Sequence, residues 1–292
     1  MENLTAKVSC FARAYHYKNN PVHIFADPAA GSLLGADYDQ IAQSMAQGIG
    51  FFLPDFQGSA EEGLRLIVDS QLSPSVLGRS AFCERMLENE KRLGFRQYVI
   101  FASGYDTFAI RNQDTALSVF ELDLPDVLAD KRRRTEKAGL TASAIAVPCD
   151  LSAASWKDRL IESGFRQERK SFGSFLGITY YLQKEAFQSF LKALGGILCE
   201  DSTICFDYPS MEESPETRTN QALAQGAGEQ MKARYAGQEM EALLAECGFL
   251  MYEHLNHFEM TEQYFADYNK HRPAHRMEAP KGVCYVHAVR KA

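Results

Sequence analysis

The sequence predicts an α/β fold in which helices cover both faces of a seven-stranded sheet, with a helical extension at the N-terminus. Beyond residue 95, five short apolar runs alternate with helical stretches, a pattern typical of parallel strands buried on both faces. Two further strand-like runs near the end of the sequence are joined by an irregular, proline-containing connection, so we expect them to complete the sheet antiparallel. Before residue 95, apolar residues recur at helical spacing.

The individual elements follow from these local patterns, and we treat the chain as one structural unit. Residues 1–95 are expected to form a helical lid packed on the core, and residues 96–292 the α/β domain. The polar segment around 209–245 is expected to be an insertion over the mouth of the site. Strands are predicted at 97–102, 118–122, 143–147, 172–181, 197–208, 249–255 and 282–288, and helices at 124–138, 156–163 and 184–194.

The composition argues against several classes of protein. A formal net charge of −7 is opposite to what binding of a phosphate backbone usually requires, and we interpret the one basic cluster, 131–134, as a solvated helix end, so nucleic acid is not an expected partner. The sequence contains no signal peptide and no uncharged apolar run of roughly 18 residues, so no membrane association is expected. Seven scattered cysteines without a C-x-x-C pair favour reduced thiols and a cytoplasmic location.

Two histidine pairs have spacing that could suit a metal. His254 and His257 form one pair, and His271 and His275 the other. Pro273 interrupts the second pair, and neither pair has a nearby carboxylate or cysteine in a recognisable ligand pattern. We therefore expect no metal site, and the sequence leaves the oligomeric state undecided.

Small and acidic residues at the ends of successive strands predict an adenosine site. The first strand ends at Ala102, Ser103 and Gly104, which lets a ligand approach the backbone closely. Glu121 at the end of the next strand can accept hydrogen bonds from both hydroxyls of a ribose. Further carboxylates follow at 123, interpreted as a helix N-cap, and at 150, which can accept a hydrogen bond from an adenine amine or cap a helix.

The turn after the first strand discriminates between adenosine cofactors. A dinucleotide site needs a glycine-rich G-x-G-x-x-G turn, whereas this turn has the single Gly104 and places Asp106 at the helix start. A carboxylate there would repel a phosphate and would suit a cofactor that carries an amino group and a sulfonium. The sequence therefore favours S-adenosyl-L-methionine, and an NAD-dependent oxidoreductase remains the less favoured alternative.

Several stretches, in order, resemble the leucine carboxyl methyltransferase-like family of class I methyltransferases, which have a Rossmann-like sheet. An upstream arginine segment and an early Asp-Pro motif also match, so the resemblance spans about residues 5–208. The matching stretches are QYVIFASGYDTFAIR (97–111), VFELDLPDVLADKRR (119–133), VPCDL with a following tryptophan (147–156), FLGITYYLQKEAFQSFL (175–191), LGRSAFCERML (77–87) and DPAAG (27–31).

The resemblance implies a role for each matching residue. Arg79, and in a looser alignment Lys7, would hold the carboxylate of the cofactor, since a guanidinium can bind a carboxylate through two hydrogen bonds. Tyr181 would face the cofactor and the substrate and is the catalytic candidate. The cofactor-binding candidates are, in full, Lys7, Arg79, Ala102, Ser103, Gly104, Asp106, Glu121, Leu122, Asp150 and Leu151.

The resemblance implies O-methylation of a carboxylate, or of a hydroxyl, on a small-molecule or peptide substrate. The sequence departs from the family at three positions: Ala102 stands where the family has glycine, Phe108 where it has arginine, and Leu176 where it has glutamate. These departures keep a second interpretation open, namely a homologue that binds the cofactor with little or no turnover.

Overall fold

A computed structural model describes residues 4–212 and 231–291, and its centre is one seven-stranded sheet. The strand order is β3-β2-β1-β4-β5-β7-β6, in which the first five strands run parallel and β7 is antiparallel to both of its neighbours. The strands are β1 (Gln97–Phe101), β2 (Ser118–Asp123), β3 (Ala144–Pro148), β4 (Ser171–Phe175), β5 (Thr203–Pro209), β6 (Phe249–Leu255) and β7 (Val283–Arg290).

Helices precede the sheet and connect its strands, as the sequence predicts. Six helices and one π-helical turn, Val68–Leu72, come before β1 in the described part of the N-terminal region, and the π-helical turn leads directly into the long α6. The helices are α1 (Leu4–Asn19), α2 (Ala30–Leu34), α3 (Asp37–Gln47), α4 (Ile49–Phe52), α5 (Ala60–Ile67), α6 (Ser73–Arg92), α7 (Phe108–Arg111), α8 (Pro125–Lys137), α9 (Trp156–Glu162), α10 (Lys184–Gly195), α11 (Gly237–Glu246), α12 (His257–Met260) and α13 (Ala266–His271). In the described residues, no helix is both long and apolar enough to cross a bilayer.

Two predicted strands are shorter than expected. The fourth ends at Phe175 because Gly177 takes a φ of +71° and turns the chain, after which Thr179–Tyr181 form a 3₁₀ turn. The fifth begins at Thr203, since Asp201 has a φ of +63° and closes a turn before the strand. The expected insertion at 209–245 lies partly outside the described residues, and its described end contains α11.

Apolar side chains cover both faces of the sheet. On one face Phe101, Trp156 and Phe206 belong to a cluster with the inner sides of α9, α10 and α11. On the other face Tyr98 and Phe172 pack with α6 and the segment that leads to β7. Burial of each such ring stabilises the fold by about 2 kcal/mol, so the continuous apolar strands that predicted the parallel sheet also provide its core.

A buried carboxylate joins the N-terminal helices to the loop that follows β1. Asp27 is fully buried and accepts hydrogen bonds from Arg13 Nε (2.8 Å) and Thr107 Oγ1 (2.7 Å), and from the backbone N–H groups of residues 29 and 30. Arg13 also donates to the carbonyl of Tyr105 at 2.7 Å. Burial tends to raise the pKa of Asp27, but Arg13 and Arg111 outweigh it, and the pKa lies below its ordinary value.

We expect Asp27→Asn to lower the free energy of unfolding by about 3 kcal/mol at neutral pH, because Arg13 is left buried without its counter-charge. Urea denaturation checks this, with Asp158→Asn on an exposed face of α9 as the control, for which a change below about 0.5 kcal/mol is expected.

The pH dependence follows from the lowered pKa. The contribution of Asp27 is present above its ordinary pKa of 3.8 and is lost as the pH falls through the native value, so the difference between wild type and Asp27→Asn should narrow in acid. Equal stabilities of the two variants at neutral pH would contradict this role of Asp27.

Candidate functional site

A cavity of about 460 Å³ opens at the carboxyl ends of β1, β2 and β4. The strand order reverses between β1 and β4, and in open α/β sheets this reversal is where ligands bind. Helices α1 and α6 form the opposite wall. Among the residues that line this first cavity are Ser9, Arg13, Arg79, Ala102, Ser103, Gly104, Asp106, Asp123, Leu176, Tyr181 and Lys232.

The turn after β1 brings its backbone close to helix α1. Gly104 has a φ of +49°, and a Cβ added there would lie 3.1 Å from the Cβ of Ala6, so a side chain at this position would be strained and crowded. Ala102 also has a positive φ, 51°, which is uncommon for a residue other than glycine. Between them, Ser103 Oγ is buried without a hydrogen-bond partner among the described residues, so a polar atom of the cavity wall is left for a ligand.

The two carboxylates at the end of β2 have different surroundings. Asp123 lines the cavity, and its two oxygens accept the backbone N–H groups of Gly104 and Leu124, each at 2.7 Å. Glu121 is 5% exposed, does not line the cavity and pairs with the buried Lys131 at 2.8 Å. Burial raises the pKa of both carboxyls. A carboxylate has about four lone-pair sites, so Asp123 can accept further hydrogen bonds from a ligand.

Arg79 extends from α6 to the loop after β4. Its guanidinium lies 3.8 Å from Asp207 Oδ2 and donates to Ser9 Oγ at 3.3 Å. Asp207, fully buried on β5, accepts the N–H of Gly177 at 2.6 Å and the hydroxyl of Tyr180 at 2.9 Å. A Cβ on Gly177 would come within 2.6 Å of the guanidinium, so this loop needs glycine both for its positive φ and for the position of Arg79.

Five of the expected cofactor residues do not lie in the wall of the first cavity: Glu121, described above, and Lys7, Leu122, Asp150 and Leu151. Lys7 is buried and forms an ion pair with Asp37 at 2.9 Å. Leu122 points to the face of the sheet opposite Asp123, because neighbouring strand residues alternate between faces. It is part of the apolar core on that face. Asp150 is exposed and accepts hydrogen bonds from its own turn at Ser152, and the next residue, 151, packs against the same core.

Three charged residues that line the cavity were not predicted from the sequence to do so: Arg13, Asp123 and Lys232. Asp207 behind the wall was missed as well. For Asp207 a signal existed, because it is a charged residue inside an otherwise apolar strand, and such a residue is buried only when paired. Lys232 and Arg13 gave no signal, since both are far from the β1 turn in sequence.

A second cavity of about 360 Å³ adjoins the first. The two cavities share five lining residues, which define the junction between them: Thr5, Ser9, Arg79, Gly177 and Tyr181. The structure thus brings Arg79 and Tyr181, two of the residues expected at the site, between two compartments. Such an arrangement suits two ligands that react with each other.

Comparison with known proteins identifies the family. The model of the family described as "Leucine carboxyl methyltransferase" matches residues 6–195. The protein from Bacillus subtilis (strain 168) named "Putative S-adenosyl-L-methionine-dependent methyltransferase YktD" is 33% identical over 304 residues, covering 99% of this chain and 98% of the relative. The chain belongs to the leucine carboxyl methyltransferase family.

The fold of this methyltransferase is also found in solved structures. A DUF574 family protein from Streptomyces avermitilis has a TM-score of 0.59 at 13% identity and covers 99% of this chain and 97% of its own. Magnesium protoporphyrin IX methyltransferase from Synechocystis, solved with bound S-adenosylhomocysteine, has a TM-score of 0.50 at 8% identity and covers 91% of this chain and 100% of its own. The protein is an S-adenosyl-L-methionine-dependent methyltransferase.

The first cavity fits this cofactor by its own chemistry. The backbone of Gly104 lines this space, and the Ser103 hydroxyl is without a partner among the described residues. The carboxylates of Asp106 and Asp123 and the guanidinium of Arg79 lie around the same space. This donor and acceptor set matches a molecule with a diol, an amino group, a sulfonium and a carboxylate.

We expect Asp123→Asn to weaken binding of S-adenosylhomocysteine by about 1 to 3 kcal/mol, because charged hydrogen bonds to the ribose hydroxyls are lost. Glu121→Gln is the matched control, because Glu121 lies two residues earlier on the same strand but outside the cavity wall. We expect this variant to lose less affinity than Asp123→Asn. Titration calorimetry measures both. A larger loss of affinity for Glu121→Gln would indicate that Glu121 binds the ribose, as the sequence predicts.

Proposed function

We propose that this methyltransferase is an O-methyltransferase that acts on a carboxylate. The observation that supports this proposal is the charge at the junction of the two cavities. Arg79 lines both, Lys281 lines the second, and none of the described residues lining the second cavity is acidic. Arg79 lies 3.8 Å from the buried Asp207, and Lys281 adds a second cation, so the lining of the second cavity favours an anionic acceptor over a cationic amine.

A carboxylate acceptor also agrees with the absence of a histidine base among the described residues that line the two cavities. A carboxyl group has an ordinary pKa near 4 and is ionised at neutral pH, so no proton has to be removed. When bound, the cofactor supplies a methyl group on a sulfonium. A lone pair of the carboxylate oxygen forms the new O–C bond while the S–C bond breaks and its electrons return to sulfur, which leaves a thioether and a neutral ester.

The remaining work of the protein is positioning, because methyl transfer requires the oxygen, the methyl carbon and the sulfur in line. We propose that Arg79 holds the cofactor carboxylate, Asp123 the ribose, and Tyr181 the boundary between cofactor and acceptor. The helices before β1 serve as the lid. The cofactor contacts expected for Lys7, Glu121, Leu122, Asp150 and Leu151 remain predictions from the sequence. A hydroxyl acceptor is the second possibility within O-methylation.

A homologue with little turnover is the alternative, and two cavity-lining residues favour it. Leu176 leaves the place of the family glutamate without charge, and Ala102 carries the backbone strain that a glycine would avoid. The buried Asp207 weighs against this alternative. It lies on β5, the strand next to β4, and its carboxylate is 3.8 Å from Arg79, so a negative charge is present near Arg79 without the family glutamate.

We expect methyl transfer from radiolabelled S-adenosyl-L-methionine to carboxylic acids, in EDTA, to give a product that releases methanol in mild base, because esters hydrolyse there and ethers and methylamines do not. The matched control is the same acceptor as its primary amide. Base-stable label would contradict carboxyl methylation. Binding of S-adenosylhomocysteine without any labelled product from acids or alcohols would favour the homologue with little turnover.

We expect Arg79→Ala to weaken binding of S-adenosylhomocysteine by about 2 kcal/mol, since a charged hydrogen-bonded pair is lost. Arg79→Lys should restore only part of this, because an ammonium cannot reproduce the two-pronged guanidinium contact. Adenosine lacks the carboxylate, so its affinity should be the same for all three proteins. Equal losses for adenosine and S-adenosylhomocysteine would mean that Arg79 supports the fold instead.

A further inference from the structure

The second cavity has a predominantly apolar wall. Aliphatic, thioether and aromatic side chains enter it from helices before β1 and from the segment that leads into β7; they include Leu4, Val8, Met45, Phe52, Val76 and Val283. Its volume of about 360 Å³ falls in the range of ordinary small-molecule pockets, about 300 to 1,000 Å³, which are mostly apolar with a few placed polar groups.

The shape of this cavity depends on a π-helical turn between α5 and α6. The turn spans Val68–Leu72, and Ile67, Gln71 and Leu72 line the cavity. A π turn carries an extra residue per turn relative to an α-helix, and such turns are often found at functional sites. The wall is therefore built by a local departure from regular helix at the place where the ligand would lie.

The cation shared by the two cavities lies at one end of the second. Arg79 belongs to the junction with the first cavity, together with Ser9 and Tyr181, whereas Val8, Met45 and Phe52 line the second cavity alone. A molecule with an anionic head and an apolar body can therefore place its head at the junction and bury its body. Burial of each methylene group strengthens binding about fourfold.

We propose that the acceptor is a free carboxylic acid with an aliphatic or arylalkyl body that fills the second cavity, an inference that rests on the proposed carboxyl methylation. A peptide C-terminus is disfavoured, because each further residue would bring backbone N–H and C=O groups against a wall that is mostly apolar and offers few hydrogen-bond partners.

The test compares kcat/KM for acids of different body with the full-length protein and radiolabelled cofactor. Octanoic, decanoic and 4-phenylbutyric acids are the apolar probes, and succinic acid and a polar pentapeptide with a free C-terminus are the polar ones. We expect apolar acids to exceed polar ones by roughly tenfold or more, since each methylene group can contribute up to that factor. Base-labile label on the polar acids or the peptide at equal or higher kcat/KM would overturn the proposal while carboxyl methylation stands.

Two variants of the cavity connect the selectivity to this wall. Val8→Phe should fill the cavity and lower kcat/KM for decanoic acid about tenfold, whereas Ile161→Phe, on the exposed side of α9 and outside both cavities, should leave it unchanged. Phe52→Ala enlarges the cavity by removing a half-buried ring from its wall, and it should shift the preference towards dodecanoic acid. This variant tests the role of the cavity even if Val8→Phe does not fold.

The controls separate this proposal from the proposed function. Calorimetry should give the same affinity for S-adenosylhomocysteine in wild type, Val8→Phe, Phe52→Ala and Ile161→Phe. If no acid of either kind gives a base-labile product, the proposed carboxyl methylation fails and this inference fails with it. If acids are methylated but neither cavity variant changes the order of preference among them, only the inference on the acceptor is overturned.

Discussion

The site depends first on the buried ion pair of Asp27 and Arg13. Both cavities lie between the sheet and the helices that precede it, so their walls exist only while α1 is fixed against the β1 turn. Asp27 does this by accepting hydrogen bonds from Arg13 on α1 and from Thr107 beyond the turn. Because each partner is buried, loss of one leaves the other charged without compensation, and the arrangement is strongly held. The same Arg13 lines the first cavity.

A second carboxylate organises the other side of the site. Asp207 joins the Gly177 backbone, the Tyr180 hydroxyl and, at 3.8 Å, the Arg79 guanidinium. It therefore fixes the loop after β4, which forms the boundary between the two cavities. This places negative charge near Arg79 from β5, while Leu176 in the loop itself contributes an apolar side chain to the first cavity. With leucine at position 176 in place of the family glutamate, the negative charge near Arg79 thus comes from Asp207 on β5.

The positive φ of Ala102 places strain at the site and not in the core. Strained backbone persists where the surroundings hold it, and it is concentrated at functional positions. Here Ser103 N–H donates to the Leu122 carbonyl at 3.0 Å and Gly104 N–H to Asp123, so two hydrogen bonds to β2 hold the turn. Hydrogen bonds within the protein therefore hold the turn after β1 in its conformation.

The sequence by itself determined the class of fold and the turn after β1, which lines the first cavity. Apolar runs of strand length and a single-glycine turn are local properties, so the parallel sheet, the antiparallel end and the positions of Gly104 and Asp106 could be predicted without contacts between distant residues. The end of β4 and the start of β5 could not be predicted, because they are set by the positive φ angles of Gly177 and Asp201. The family resemblance supplied Arg79 and Tyr181, which the structure brings to the junction of the cavities.

Only the tertiary structure decided which carboxylate at the end of β2 lines the cavity and what lies beside it. Glu121 and Asp123 are two residues apart on one strand, but Glu121 pairs with the buried Lys131 at 2.8 Å whereas Asp123 lines the cavity. Asp207 and Lys232 reach the site from elements more than 100 residues beyond the β1 turn. The second cavity is formed by α1, α6 and the approach to β7. Its apolar character depends on which side chains of distant segments meet, and no local pattern in the sequence encodes that.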